Sequence, residues 1–150
     1  MSNEYKDWMR DKNYNLCQEY PFLIPRNVFT DEIITNYDYS FTYLDECPIG
    51  WQPIFLEMCK TIKPLLEELY LLNDFRLIQI KEKHGRLTIY HAGAPENIDN
   101  VIGYYENLSR RVCIKCGEPA TKITVGWIMP FCDKCATKGD FDCDDIDEWI

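Results

Sequence analysis

The residues best suited to chemistry in this chain of 150 residues are four cysteines arranged as two Cys-x-x-Cys pairs. A spacer of fifteen residues separates the two pairs. This spacing is typical of a zinc site, because two thiolates three residues apart on a tight turn can both point into one tetrahedron. The predicted metal ligands are Cys113, Cys116, Cys132 and Cys135.

Three other roles for the two pairs fit the sequence less well. A thioredoxin-like redox site needs one pair beside a βαβ unit, and the sequence predicts no such unit. Disulfides form in oxidising compartments, whereas residues 1–17 lack the apolar segment of a signal peptide. A catalytic zinc usually keeps one coordination position open, whereas four cysteines fill the shell. The pattern therefore predicts a structural Zn²⁺.

The remaining reactive side chains do not form a catalytic constellation. Cys17, Cys47 and Cys59 are scattered and are predicted to be buried free thiols. Cys143 lies among aspartates, which makes it a poor nucleophile. No HExxH, phosphate-binding glycine loop or GxSxG motif occurs. The interpretation is that the protein is not an enzyme, with no catalytic and no cofactor-binding residue predicted.

Only two histidines occur in the sequence, and each has a structural interpretation. His84 is predicted to lie in a turn, and His91 is predicted to end a strand. Paired carboxylates such as Glu67 and Glu68 are adjacent, so on a helix they point in different directions and indicate a solvated surface. These residues give no reason to expect acid–base catalysis.

The elements that must position the cysteines begin with a helix from Trp51. Its apolar residues recur at intervals of three and four, as in an amphipathic helix: Ile54, Phe55, Met58, Ile62, Leu65, Leu66 and Leu69. Pro64 either kinks this helix or restarts it. The preceding residues 20–50 predict irregular structure with one short strand around 37–44.

A β-hairpin is predicted next, from two β-rich runs around His84 and Gly85. This loop would place Lys83 opposite Arg86, Ile80 opposite Ile89 and Ile78 opposite His91. The face packed on the preceding helix would then carry Ile78, Ile80, Leu87 and Ile89. A second helix follows, with apolar residues at helical spacing: Ile98, Val101, Ile102, Tyr105 and Leu108.

The predicted fold class is α+β, a helix–β-hairpin–helix core with a C-terminal zinc-ribbon-like module. The core with an irregular N-terminal segment is assigned to residues 1–108, the module to 109–139 and an acidic tail to 140–150. The β-rich spacer, with Gly126 placed for a turn, is what a zinc ribbon requires.

Charge is unevenly placed along the chain, whose net charge is −9. The tail holds six acids and no base. The module is locally basic, with Arg110, Arg111, Lys115, Lys122, Lys134 and Lys138 against Glu118 and Asp133. A hydrophobic content of 46% predicts a packed core. No apolar run approaches the roughly 20 residues that span a bilayer, so the predicted location is cytoplasmic, with no membrane contact.

Four stretches resemble a family of small uncharacterised proteins from phages, prophages and bacteria. They are "YPFLIPRN", "GWQPIFLEMCKTI", "IQIKEKHGRLTIY" and the cysteine pairs, within residues 20–137. The family has a KEKFGxLRFY-like hairpin and a C-terminal pair of cysteine knuckles. This sequence departs from it at His84 and Thr88. The resemblance implies a bacterial or mobile-element setting and supplies no activity.

Two functions remain open. The first is a regulator or inhibitor that binds a partner protein through the aromatic N-terminal segment or through the tail. In the tail, acids alternate with Phe141, Ile146, Trp149 and Ile150, although a disordered solubilising end has the same composition. The second is nucleic-acid binding by the module, where the basic residues meet Trp127 and Phe131. The net negative charge of the chain favours the first.

Overall fold

The computed structural model describes residues 3–27 and 29–148, with side chains over 8–27 and 29–147. The fold is mixed α+β with small antiparallel sheets, as predicted. In chain order the elements are α1 (Asn3–Glu19), α2 (Tyr43–Glu46), α3 (Gln52–Glu68), β1 (Arg76–Lys83), β2 (Arg86–Ala92), α4 (Glu96–Ser109), β3 (Lys122–Thr124), β4 (Pro130–Phe131), α5 (Asp133–Gly139) and β5 (Cys143–Asp145). Short 3₁₀ turns lie at Pro21–Leu23, Ile49–Trp51 and Ile146–Glu148.

The N-terminal part holds a helix that the sequence analysis did not predict. The side-chain amide of Asn13 in α1 donates to the Tyr39 carbonyl oxygen at 2.8 Å, which fixes the helix to the following loop. The strand predicted around 37–44 is wrong. Tyr39 has a positive φ of 61°, which breaks an extended chain, and Thr42 starts α2 as its N-cap in a capping box with Asp45.

Helix α3 continues through Pro64, so the helix is not restarted there. Proline removes one backbone hydrogen bond, but the apolar face of α3 is fully packed on both sides of it. The buried side chains on that face are Phe55, Met58, Cys59, Ile62 and Leu66. The tertiary packing of this face compensates for the lost bond.

The hairpin has the predicted two-residue loop and, near it, the predicted pairing. His84 and Gly85 have φ values of 53° and 79°, as a type I′ turn requires. Ile80 pairs with Ile89, but the pairing of Ile78 with His91 is wrong, because a bulge shifts the register and Leu77 pairs with His91 instead. Leu77 is therefore 2% exposed and Ile78 is 44% exposed, the reverse of the prediction.

Side chains cap the outer edges of this two-stranded sheet. On β2, the Leu87 N–H donates to the Ser109 hydroxyl at 2.8 Å, and the Ile89 N–H donates to Glu106 at 2.9 Å. On β1, the Ile80 N–H donates to Glu46 at 3.1 Å. These contacts satisfy edge donors that would otherwise be open to another strand.

One core joins the hairpin to α3 and α4. The periodicity predicted for the second helix is confirmed, since Ile98, Ile102 and Tyr105 of α4 are buried. They pack in the same cluster as Leu87 of the hairpin and Phe55 of α3. Ser109, at the end of α4, leads directly into the first cysteine pair.

The C-terminal part forms a second sheet of three antiparallel strands in the order β4-β3-β5. Gly126, with a φ of 89°, lies in the connection from β3 to β4, where a turn was predicted. β5 lies within the segment assigned as an acidic tail, and Trp149 and Ile150 fall outside the described residues. Within the described ranges, none of the helices combines the length and apolar character needed to cross a membrane.

Candidate metal centre

The structure brings together the four cysteines named from the sequence. One sulfur atom from each of Cys113, Cys116, Cys132 and Cys135 lies within 4.8 Å of the others. The Sγ atoms of Cys116 and Cys132 are 3.6 Å apart. A tetrahedron with Zn–S bonds of about 2.3 Å has sulfur–sulfur edges of about 3.8 Å. The four side chains could therefore hold a metal ion without large movement.

A tight turn positions the first pair. The Gly117 N–H donates to the Cys113 carbonyl oxygen at 3.0 Å. The φ of Gly117 is 84°, a conformation that glycine adopts without the steric cost of a Cβ atom. The Cys113 N–H donates to the Glu118 carbonyl oxygen at 2.7 Å. The turn aims both sulfurs of the pair into the same space.

A helix start positions the second pair. Cys132 is the N-cap of α5, and its sulfur accepts a hydrogen bond from the Cys135 N–H at 3.4 Å. The Ala136 N–H donates to the Cys132 carbonyl oxygen at 2.9 Å. Because the first turn of the helix fixes the three-residue spacing, Cys132 and Cys135 face the same side.

The thiols of the cluster differ in acidity. Burial of Cys113 opposes its ionisation, but backbone hydrogen bonds from Cys132, Cys116 and Lys115 outweigh it and lower the pKa of Cys113 to about 7. The hydrogen bond with Cys132, together with burial, raises the pKa of Cys135 to about 12. A metal ion must displace the protons from all four thiols to bind them as thiolates.

One side of the cluster is enclosed and the other is open. Cys113 and Cys132 are buried, whereas Cys116 is exposed. On the open side lies a surface cleft of about 870 Å³. Its wall carries three cations, Lys115, Lys134 and Lys138, and two acids, Glu118 and Asp133. Cations there would offset the two net negative charges of Zn²⁺ bound by four thiolates.

Hydrogen bonds from the 3₁₀ turn before α3 connect the first pair to the core. The Gly50 N–H donates to the Ile114 carbonyl oxygen at 2.8 Å, and the indole Nε1 of Trp51 donates to the Val112 carbonyl oxygen at 2.9 Å. The Ile114 N–H donates to the Pro130 carbonyl oxygen at 3.0 Å, which links the first pair to β4. Gly50 was missed from the sequence, because nothing local distinguishes it from an ordinary glycine.

The acidic segment lies against the basic residues of the same region. Lys122 on β3 forms an ion pair with Asp145 on β5. Arg111 lies 3.6 Å from Asp147. Ile146, between these two acids, is buried. Two of the cations that the sequence analysis assigned to a phosphate-binding surface are therefore already paired with acids of the same chain.

The four remaining cysteines and His91 do not belong to the sulfur cluster. Cys17, Cys47 and Cys59 are free and buried, as predicted, and burial raises the pKa of Cys47 to about 12. Cys143 is half-buried beside the cluster but does not belong to the group of four. His91 Nε2 lies 3.1 Å from a carboxylate oxygen of Asp99. The sulfur cluster is the candidate site that the described side chains support best.

No family model, curated protein or solved structure matches this chain. The resemblance to small phage, prophage and bacterial proteins therefore stays a prediction.

Proposed function

We propose that this is a zinc-containing binding protein, of the regulator or inhibitor type, that acts by contacting a partner protein. Zn²⁺ at Cys113, Cys116, Cys132 and Cys135 is structural in this proposal. A zinc-ribbon-like module over residues 109–139 is built around the ion. A mobile-element origin is part of the same proposal, as is a cytoplasmic location, where free thiols stay reduced.

The size of the apolar cluster around the cysteines supports a structural role for the metal. That cluster contains four buried residues, Cys113, Phe131, Cys132 and Ala136, and two of them are candidate ligands. So small a cluster does not fold a module without further cross-links. Zn²⁺ supplies an apparent binding free energy of roughly 10–16 kcal/mol in small modules of this kind. Four cysteines also leave no coordination position for a substrate, which supports binding over catalysis.

The observation that carries the partner-binding role is a run of exposed apolar side chains in the N-terminal part. Phe29 is 93% exposed, and Ile33, Ile34 and Phe41 are also exposed. We call these four residues the apolar segment. All four lie within residues 29–41 of the chain, and they are the proposed contact because exposed apolar patches mark protein interaction sites. In this proposal the apolar segment is the surface that contacts the partner.

Nucleic-acid binding is the second candidate, and one observation favours it. Lys115, Lys134 and Lys138 line the cleft beside the cysteine cluster, and no acid among the described side chains forms an ion pair with them. The net charge of −9 opposes the approach of phosphates to this cleft. The ion pairs of Lys122 and Arg111 reduce the basic surface further.

Affinity capture from a bacterial host, with matched variants and with or without nuclease, separates the two candidates. The double variant Phe29→Ser with Ile33→Ser should lose a nuclease-resistant partner. Tyr70→Asn is the control, since Tyr70 is equally exposed but lies elsewhere and its positive φ of 57° suits asparagine. Capture that disappears with nuclease, or with Lys134→Glu and Lys138→Glu but not with the double variant, would contradict the proposal.

A further inference from the structure

The outer edge of β3 binds an extended acidic segment, and the structure shows how. β5 runs antiparallel to it, with Lys122 opposite Asp145 and Thr124 opposite Cys143. Two backbone hydrogen bonds extend the pairing beyond the strand. The Val125 N–H donates to the Asp142 carbonyl oxygen at 2.9 Å, and the Ile146 N–H donates to the Thr121 carbonyl oxygen at 3.0 Å.

Side chains on this edge contact an acid–isoleucine–acid sequence. Ile146 is 4% exposed and is the one buried side chain of residues 140–147. On either side of it, Asp145 meets Lys122 and Asp147 meets Arg111. The buried aliphatic side chain thus lies between two ion pairs, where β5 passes into the 3₁₀ turn Ile146–Glu148, and strand addition with a side-chain anchor is a known mode of peptide recognition.

The ion pairs of the acidic segment contribute little to its hold on this edge. Asp145 and Asp147 are largely exposed, and exposed ion pairs contribute little to stability. Residues 140–148 carry six carboxylates, and the repulsion among them opposes docking. The anchoring therefore rests on Ile146, on the stacking of Phe141 on Phe131 with ring centroids 4.7 Å apart, and on the backbone hydrogen bonds, contacts of a kind that another strand can also make.

We propose that the outer edge of β3 is a docking site for an acidic, extended segment of a partner protein, with Ile146 and its flanking acids as a built-in competitor. This inference rests on the proposed protein-binding function and names a partner chemistry for it. A peptide strand pairs with both the N–H and the C=O groups of the β3 edge, whereas the phosphates of a nucleic acid carry no donor and would leave the C=O groups unpaired.

The test uses the full chain and a labelled synthetic peptide with the sequence of residues 140–148, serine replacing Cys143. Fluorescence anisotropy would measure its binding to the wild type and to Ile146→Asn. The variant should bind the peptide at least about tenfold more tightly, because the fraction of molecules with a free edge rises. Adding Lys122→Glu to Ile146→Asn should abolish the gain in affinity for the peptide. Adding Lys138→Glu, which lies away from the edge, should preserve that gain. A peptide with asparagine in place of its isoleucine should not bind.

A second variant controls for a folding defect in Ile146→Asn. Asp145→Lys with Asp147→Lys keeps Ile146 but places like charges opposite Lys122 and Arg111, and it should give the same gain. Zinc content and hydrogen exchange of β3 would show that the module stays folded and its edge is free. Absence of peptide binding to a folded, freed edge would overturn the inference, as would Lys122-dependent binding of a single-stranded oligonucleotide instead. Neither result depends on the apolar segment, so this inference and the proposed function can fail separately.

Discussion

Gly50 donates its backbone N–H to the carbonyl oxygen of Ile114 at 2.8 Å, across 64 positions of sequence. The approach is so close that a Cβ atom on Gly50 would lie 2.1 Å from the Cys113 carbonyl oxygen. The 3₁₀ turn before α3 and the first cysteine pair therefore share a backbone contact that admits no side chain. Through it, the candidate metal centre is in direct contact with the core.

Replacing Gly50 by alanine should disrupt the contact between the 3₁₀ turn before α3 and the first cysteine pair. The backbone at Cys113 must shift to avoid the new methyl group, so Gly50→Ala should destabilise the zinc-loaded protein by about 1–3 kcal/mol and weaken its hold on zinc. Gly103→Ala is the matched control, because no atom lies within 4 Å of its Cβ position. That change in a helix should stabilise by about 0.5–1 kcal/mol. Urea unfolding that shows equal effects for both variants would contradict the shared contact.

Because of the bulge in β1, we expect Ile78 and Ile80 to contribute differently to the stability of the fold. Ile80→Ala should cost about 2–5 kcal/mol because it leaves a cavity in the core. Ile78→Ala should cost far less, since Ile78 is exposed at the bulge. Urea unfolding of the two variants measures this difference. Similar losses of unfolding free energy at both positions would instead indicate the unbulged register, with Ile78 on the buried face.

Elements with strong local patterns were predictable from the sequence. The i, i+3/i+4 spacing located α3 and α4, and the His84–Gly85 pair located the hairpin loop. The cysteine spacing identified which four sulfurs come together. In each case neighbours in the sequence determine the geometry, so little information from the rest of the fold is needed.

The features that were missed depend on distant contacts. β5 consists of Cys143, Asp144 and Asp145, and aspartate is a poor strand former. It is extended because it pairs with β3 and because Lys122 meets Asp145. The bulge at Ile78 likewise reflects the packing of Leu77 in the core, which the alternation of residue types could not reveal.

Thiol reactivity should follow burial and metal binding. At pH 8, iodoacetamide should leave Cys47 and Cys59 unmodified in the folded protein, because burial raises the pKa of each and keeps the thiol protonated. Cys143 should react slowly, since it is half-buried and burial raises its pKa. Chelation of the metal should add labels at the four clustered cysteines, counted by mass spectrometry. Labelling of Cys116 at the same rate before and after chelation would indicate that the metal does not protect it.

The most direct test of the central claim is the metal content of the full chain, measured by native mass spectrometry under reducing conditions. The structure predicts about one zinc per chain. Cys116→Ser and Cys132→Ser should lose the ion and unfold the module, and hydrogen exchange should then also rise at Gly50 and Trp51. Cys143→Ser, which changes a neighbouring cysteine outside the group of four, should keep one zinc. A wild-type chain without metal and with both cysteine pairs oxidised, or loss of zinc in Cys143→Ser but not in Cys132→Ser, would contradict the account.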